Sequence, residues 1–168
     1  VEEFGRLDLL VNNAAVYGPA PVVEDQEESW RRHFEVNVHG PWRLCRLAHP
    51  HLKVSGAGAV VNVLSTLAHN AAGTISAYCS SKSALEMLTR CLALEWAPDG
   101  IRVNAVSPGV VDTPIHQPGI AETMGPAHPL GRIGQPDEVA RAILFLASDA
   151  SAWTTGANLD VDGGIRIA

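Results

Sequence analysis

The chain has 168 residues, 46% of them hydrophobic, which suits one globular domain with a genuine core and is too short to promise two. Its net charge of −6 and isoelectric point near 5.6 provide no basic field for nucleic acid or an anionic membrane, and the charges are scattered rather than blocked. Cys45, Cys79 and Cys91 form no CxxC and stand at no zinc-like spacing from the histidines, so they indicate neither a disulfide framework nor a metal site.

The acidic start VEEFGRLD lacks a secretory n-region and h-region. No apolar run reaches the roughly 18 residues that span a bilayer, and a reducing cytoplasm is the expected compartment. A short helical stretch over Val1–Arg6 leads directly into an apolar strand over Leu7–Asn13, which reads as a beginning in mid-fold. A helix is expected from Glu27 to about Leu52, kinked at Gly40 and Pro41. Solid Val/Ile/Leu runs over Leu7–Asn13, Ala59–Ser65 and Ile101–Ser107 read as strands buried on both faces. Between them lies a helix over Ala77–Ala97, with Leu85, Leu88 and Leu92 on one stripe. Thr113–Gln135 is rich in Pro and Gly and reads as a surface loop or lid. A helix over Pro136–Ser148, with Asp137 and Glu138 in its first turn, and a short strand over Asn158–Val161 complete the chain. Alternating strands and helices imply an α/β fold built on a parallel sheet.

Parallel sheets place ligands at the carboxyl ends of their strands. Those ends carry NNAA (Asn12–Ala15), LS (Leu64–Ser65) and SPG (Ser107–Gly109), which outline one cleft. Just beyond the second strand stands YCSSK, Tyr78 to Lys82, in a chain with only two tyrosines and two lysines. One helical turn apart, the two side chains share a face, and an ammonium near a phenol is expected to draw its pKa down from about 10 toward the operating range. That yields a general acid or base. Ser65, at the preceding strand end, is placed to hold a carbonyl oxygen while Tyr78 protonates it.

Ser65, Tyr78 and Lys82, with LVNNAA, NVHG (Asn37–Gly40), NAVSPGVVDTP (Asn104–Pro114) and LDVDGG (Leu159–Gly164) in order around them, closely resemble the short-chain dehydrogenase/reductase family over nearly the whole chain. The resemblance implies a partial doubly wound, Rossmann-like sheet with flanking helices, a small-molecule substrate, and NAD or NADP as cofactor. It implies hydride transfer between the nicotinamide and a secondary alcohol or ketone, leaning toward 3-oxoacyl-carrier or sugar substrates. Tyr78 then matches the acid/base, Ser65 the substrate-oxygen clamp, and Lys82 the group that tunes the tyrosine and holds the nicotinamide ribose. Asn37 matches a fourth catalytic residue that anchors a relay water. Asn12, Asn13 and Ala14 match the strand-end segment lining the cofactor. Pro108, Gly109, Val111 and Thr113 match the segment that meets the nicotinamide.

The family's opening strands and glycine-rich GxxxGxG turn are not matched, and Ala15 stands where its strand-end motif usually has Gly. The chain as given is therefore expected to hold a nicotinamide half-site, and the alternative function is a catalytically silent piece or an interaction module retaining the family's second half. The histidines are expected on the surface or in loops, with His69 and His116 alone near substrate, and VDGG reads as a structural strand exit. Apolar surface on the two long helices points to a homo-oligomer, dimer or tetramer, with Arg43, Arg46 and Arg90 near its interface.

Overall fold

Four strands form one parallel sheet in the order β1-β2-β3-β4, in a computed structural model that describes residues 1–24 and 27–168. The strands are β1 (Leu9–Asn12), β2 (Ala59–Val63), β3 (Arg102–Pro108) and β4 (Asn158–Val161). The helices are α1 (Glu27–Phe34), α2 (Gly40–Ser55), α3 (Ser76–Trp96), the five-residue α4 (Ile120–Met124) and α5 (Pro136–Ala147). β1 and β2 are shorter than their apolar runs suggest and β3 is shifted by one residue, because Leu7, Leu64 and Ile101 lie beyond the ladder yet still pack inward. The reading of β1 as buried on both faces is corrected: Leu9 and Val11 are exposed, since β1 is the sheet's edge strand. The helical reading of Val1–Arg6 is corrected to a turn, closed by a Gly5 amide to Val1 carbonyl bond.

Every residue of β2 is buried, since helices cover both faces of the sheet. On one face Val60 and Val103 pack with Cys45 and Leu52 of α2 and Leu92 and Trp96 of α3. On the other Val61, Val63 and Val106 meet Leu146 and the inner side of α5. Three buried asparagines interrupt this apolar packing. Asn12 donates to Asn62 at 2.8 Å, Asn62 donates to Thr89 of α3 at 2.9 Å, and Thr89 donates to the Leu85 carbonyl. Asn104 accepts from the Ala157 amide and donates to the Thr154 carbonyl, fixing the approach of β4. These buried bonds specify register, since a one-residue slip would break each of them; the Asn12 oxygen is the one side-chain atom of the three asparagines without a partner.

The expected kink at Gly40 and Pro41 is instead a π-helical stretch, Glu35–His39, that joins α1 to α2. Pro41 falls at the first turn of α2, where its missing N–H costs nothing. α5 starts on a reciprocal cap between Gln135 and Glu138 and ends against Arg102, whose guanidinium donates to the carbonyls of Leu146, Ala147 and Ser148. That cation satisfies the orphan carbonyls at the negative end of the helix. α5 thereby becomes a fixed wall over the carboxyl ends of β2 and β3.

Candidate active site

α3 carries Tyr78 and Lys82 on successive turns of one face. Ser65 reaches them from the end of β2 in extended conformation, its hydroxyl accepting from the Leu67 amide at 3.2 Å. Ser83 donates to the Ala68 carbonyl at 2.6 Å, and Ser107 donates to the Ser65 carbonyl at 3.2 Å. The Ser65 turn is thus tied to α3 on one side and to β3 on the other. Ser65, Tyr78 and Lys82 line one cavity of about 590 Å³ at the carboxyl ends of β1, β2 and β3. Asn13 and Ala14 form its β1 side, and Pro108, Gly109, Val111 and Thr113 its β3 side. Ile115 and His116 close it from the lid, Val139 and Ile143 from α5.

Lys82 is 2% exposed, and its ammonium donates to the Val63 carbonyl at 2.8 Å while lying 5.7 Å from the centre of the Tyr78 ring. Burial pushes this ammonium down to about 8. Burial also pushes the Tyr78 phenol up to about 12, with the neighbouring Ser65 hydroxyl pulling the other way. The sequence-based expectation of a lowered phenol pKa is corrected here: removal from water disfavours the phenolate more than Ser65 favours it, and Lys82 spends its charge on a carbonyl rather than on the phenolic oxygen. At neutral pH the pair is a protonated phenol beside a buried cation, an arrangement poised to donate a proton.

The chain matches the family model described as enoyl-(acyl carrier protein) reductase over residues 1–166. It is 43% identical over 166 residues to cis-4-hydroxycyclohexanecarboxylate dehydrogenase of Sinomonas cyclohexanicum, covering 96% of this chain and 67% of that protein. It is 45% identical over 166 residues to human (Homo sapiens) L-xylulose reductase, covering 95% and 68%. The chain belongs to the short-chain dehydrogenase/reductase family. A gluconate 5-dehydrogenase from Burkholderia cenocepacia, solved in complex with NADP and tartrate, superposes with a TM-score of 0.93 at 32% identity, covering 99% of this chain and 68% of that one. The chain spans about two thirds of the length of these relatives. As a short-chain dehydrogenase/reductase it has a Rossmann-like fold, and the family's chemistry is alcohol and ketone oxidoreduction with NAD or NADP.

Against that family pattern, two of the sequence-predicted residues stand outside the cavity. Asn12 directs its amide to Asn62 and to the Cys45 sulfur, inside the sheet. Asn37 sits in the π-helical stretch, its oxygen accepting from the Val16 amide at 2.8 Å and its nitrogen donating to the Val16 carbonyl and to Ser81, both at 3.0 Å. It fastens the loop after β1 to α3 by one buried and two partly buried bonds. Of the histidines, His116 lines the cavity, whereas His69 is held by Glu86 and Asn158. His33, inside α1 and packed near Gly18, is buried, a correction to its expected surface or loop placement; His128 lies in the lid loop as expected, but is buried there.

Sequence reasoning passed over Tyr17, whose ring stands edge-on to Tyr78 at 5.1 Å and near His116 at 6.2 Å. Its position directly after NNAAV, at a strand end, was the available signal. The α5 wall was also missed, because a helix that reads as plain packing in sequence becomes a site wall only when folded over the sheet. Among the described residues no helix is long and apolar enough to cross a membrane.

Proposed function

We propose that this chain carries the reaction centre of an NAD- or NADP-dependent enzyme that interconverts a secondary alcohol and its ketone. The observation that carries the proposal is the convergence of Ser65, Tyr78 and Lys82 on one cavity walled by Pro108–Thr113. Tyr78 transfers the proton to or from the substrate oxygen, and Ser65 holds that oxygen by a hydrogen bond. Asn37 holds the Val16 loop that presents Tyr17 and, by resemblance, anchors a relay water. The residues fit a nicotinamide and its ribose: the ammonium of Lys82 spends one donor on Val63 and has others to offer in a cavity of about 590 Å³, within the range of small-molecule sites. A bound nicotinamide supplies or accepts the hydride. Val111 and Thr113 are assigned to its carboxamide, and Asn13, Ala14, Pro108 and Gly109 to its flanks.

The substrate class we infer is a compact hydroxylated ring or short polyol. Likeness to a hydroxycyclohexanecarboxylate dehydrogenase and a xylulose reductase supports it, as does a pocket that mixes Ile115 and Ile143 with His116. The proposal includes a cytoplasmic homo-oligomer. The test is ketone reduction across a panel of cyclic and polyol ketones with NADH and NADPH. Tyr78→Phe is expected to lose about 10²- to 10⁴-fold in turnover with cofactor affinity nearly unchanged, because it deletes only the transferable proton. Wild-type turnover in Tyr78→Phe would overturn the assignment. Since burial holds the phenol up at about 12, alcohol oxidation, which needs the phenolate, is expected to rise with pH from neutrality upward.

A further inference from the structure

We infer that His128 is a positioning residue for the Pro108–Thr113 wall, acting as a neutral imidazole that fixes the Val110 amide; this rests on that wall facing the nicotinamide, as proposed above. His128 follows the single turn Gly125–Ala127 in the lid and is 2% exposed. Its Nδ1 lies 2.7 Å from the Met124 carbonyl, and its Nε2 lies 3.2 Å from the Val110 amide. A carbonyl only accepts, so Nδ1 carries the proton. An amide N–H only donates, so Nε2 presents its lone pair. The two neighbours together select one neutral tautomer, and an imidazolium would set its Nε2 proton against the Val110 proton.

The main chain is shaped around this ring. A Cβ on Gly109 would stand 2.9 Å from Nε2 and 3.0 Å from the Asp162 backbone, and one on Gly163, whose φ is +58°, would stand 3.4 Å from the ring. The VDGG exit is therefore glycine-rich in part because the strand end passes against His128. On either side the lid base is stitched by backbone bonds from Gly134 to Val110, Asp112 to Gly134, Gly131 to His128 and Leu130 to Gly163. His128 is the side chain that joins the lid, the β3 exit and the β4 exit at one point. The charged groups on these segments are Asp112, Glu122, Arg132, Glu138, Asp160, Asp162 and Arg166. Arg132 pairs with Glu138 and Arg166 with Asp160, Asp162 accepts from the Gly164 and Arg166 amides, and no ion pair among the described residues includes His128.

The test compares His128→Gln, which keeps an acceptor without a titrating ring, with His128→Leu, which keeps bulk without an acceptor. Hydrogen exchange at the Val110 amide, without cofactor, and NADH and NADPH dissociation constants are measured at about pH 7.5. His128→Gln is expected to stay within about twofold of wild type in both readouts, because its side-chain oxygen still accepts from Val110, while His128→Leu exchanges Val110 about tenfold faster and binds cofactor about fivefold more weakly. Two results would overturn the inference: His128→Leu matching wild type in both readouts, or His128→Gln exchanging Val110 about tenfold faster than wild type. Should His128→Leu fail to fold, His128→Gln alone decides it: exchange within about twofold of wild type upholds the inference, and an acceleration of about tenfold overturns it. If neither cofactor binds residues 1–168, Val110 exchange alone judges His128, and the ketone-reduction panel judges the proposed function.

Discussion

A primary ammonium sealed beneath a tyrosine ring is an expensive residue to keep, and Lys82 shows what that does to the protein. Its pKa falls from 10.5 to about 8 by burial. Between those values the unfolded chain holds a proton that the folded chain has released, so this group makes stability rise with pH from about 8 to 10.5. The penalty below that window is on the order of 3 kcal/mol. Tyr78 has the opposite sign: its folded pKa of about 12 exceeds 10.0, and its contribution is lost as pH climbs through that interval. Lys82→Met is therefore expected to flatten the rise in urea midpoint between about pH 7.5 and 9.5 while weakening turnover and cofactor affinity together. A Lys82→Met protein with the wild-type pH slope would show that the ammonium is not buried as described. Loss of turnover with unchanged cofactor affinity would remove its second role at the ribose.

At the scale of elements, the break between α1 and α2 organises the site. A π-helical stretch shifts the register of side chains, and here the residue it turns inward is Asn37. Its three bonds reach Val16 on the loop after β1 and Ser81 on α3, one residue from Lys82. Removing the amide leaves the Val16 main chain without its partners in a partly buried place. Asn37→Ala is expected to cost about 1–3 kcal/mol in chemical denaturation, with the Val16 amide losing exchange protection. Ser81→Ala should cost far less, because Asn37 keeps its other two bonds. Equal costs for the two variants would contradict the view that Val16 is the principal partner.

Across the whole molecule, exposed apolar residues lie in turns and loops and also in number on the two long helices. Leu44, Leu47 and Val54 of α2 and Met87 and Leu94 of α3 are exposed, as are Leu144 of α5 and Trp153 beyond it. Scattered exposed leucines are normal, but two long helices carrying several each suggest covered faces. We expect a dimer or tetramer by light scattering at micromolar concentration, and a monomer mass would reject this. Arg46 over the Trp42 ring, Arg43 paired with Glu35, and Arg90 paired with Glu86 would then border the buried area. Their replacement by Glu is expected to shift the mass distribution toward monomer.

The sequence by itself determined what depends on local periodicity. Tyr78 and Lys82 share a face because they are one turn apart on α3, and any helix over YCSSK would bring them together. Strand ends were legible in NNAA, LS and SPG because buried strands read as unbroken apolar runs that stop where polar or small residues begin. The end of Asn158–Val161 matched to the residue. What only the tertiary structure decided are quantities summed over atoms distant in sequence. Asn12 turns into the sheet rather than the cavity because Asn62, fifty residues away, is its register partner. Tyr78 is driven up rather than down because the packing around it removes water, and spacing to a lysine says nothing of where that lysine spends its charge. His128 is neutral and buried because three segments converge on it, and no window of sequence short enough to show a period contains Val110, Met124 and Gly163 as neighbours.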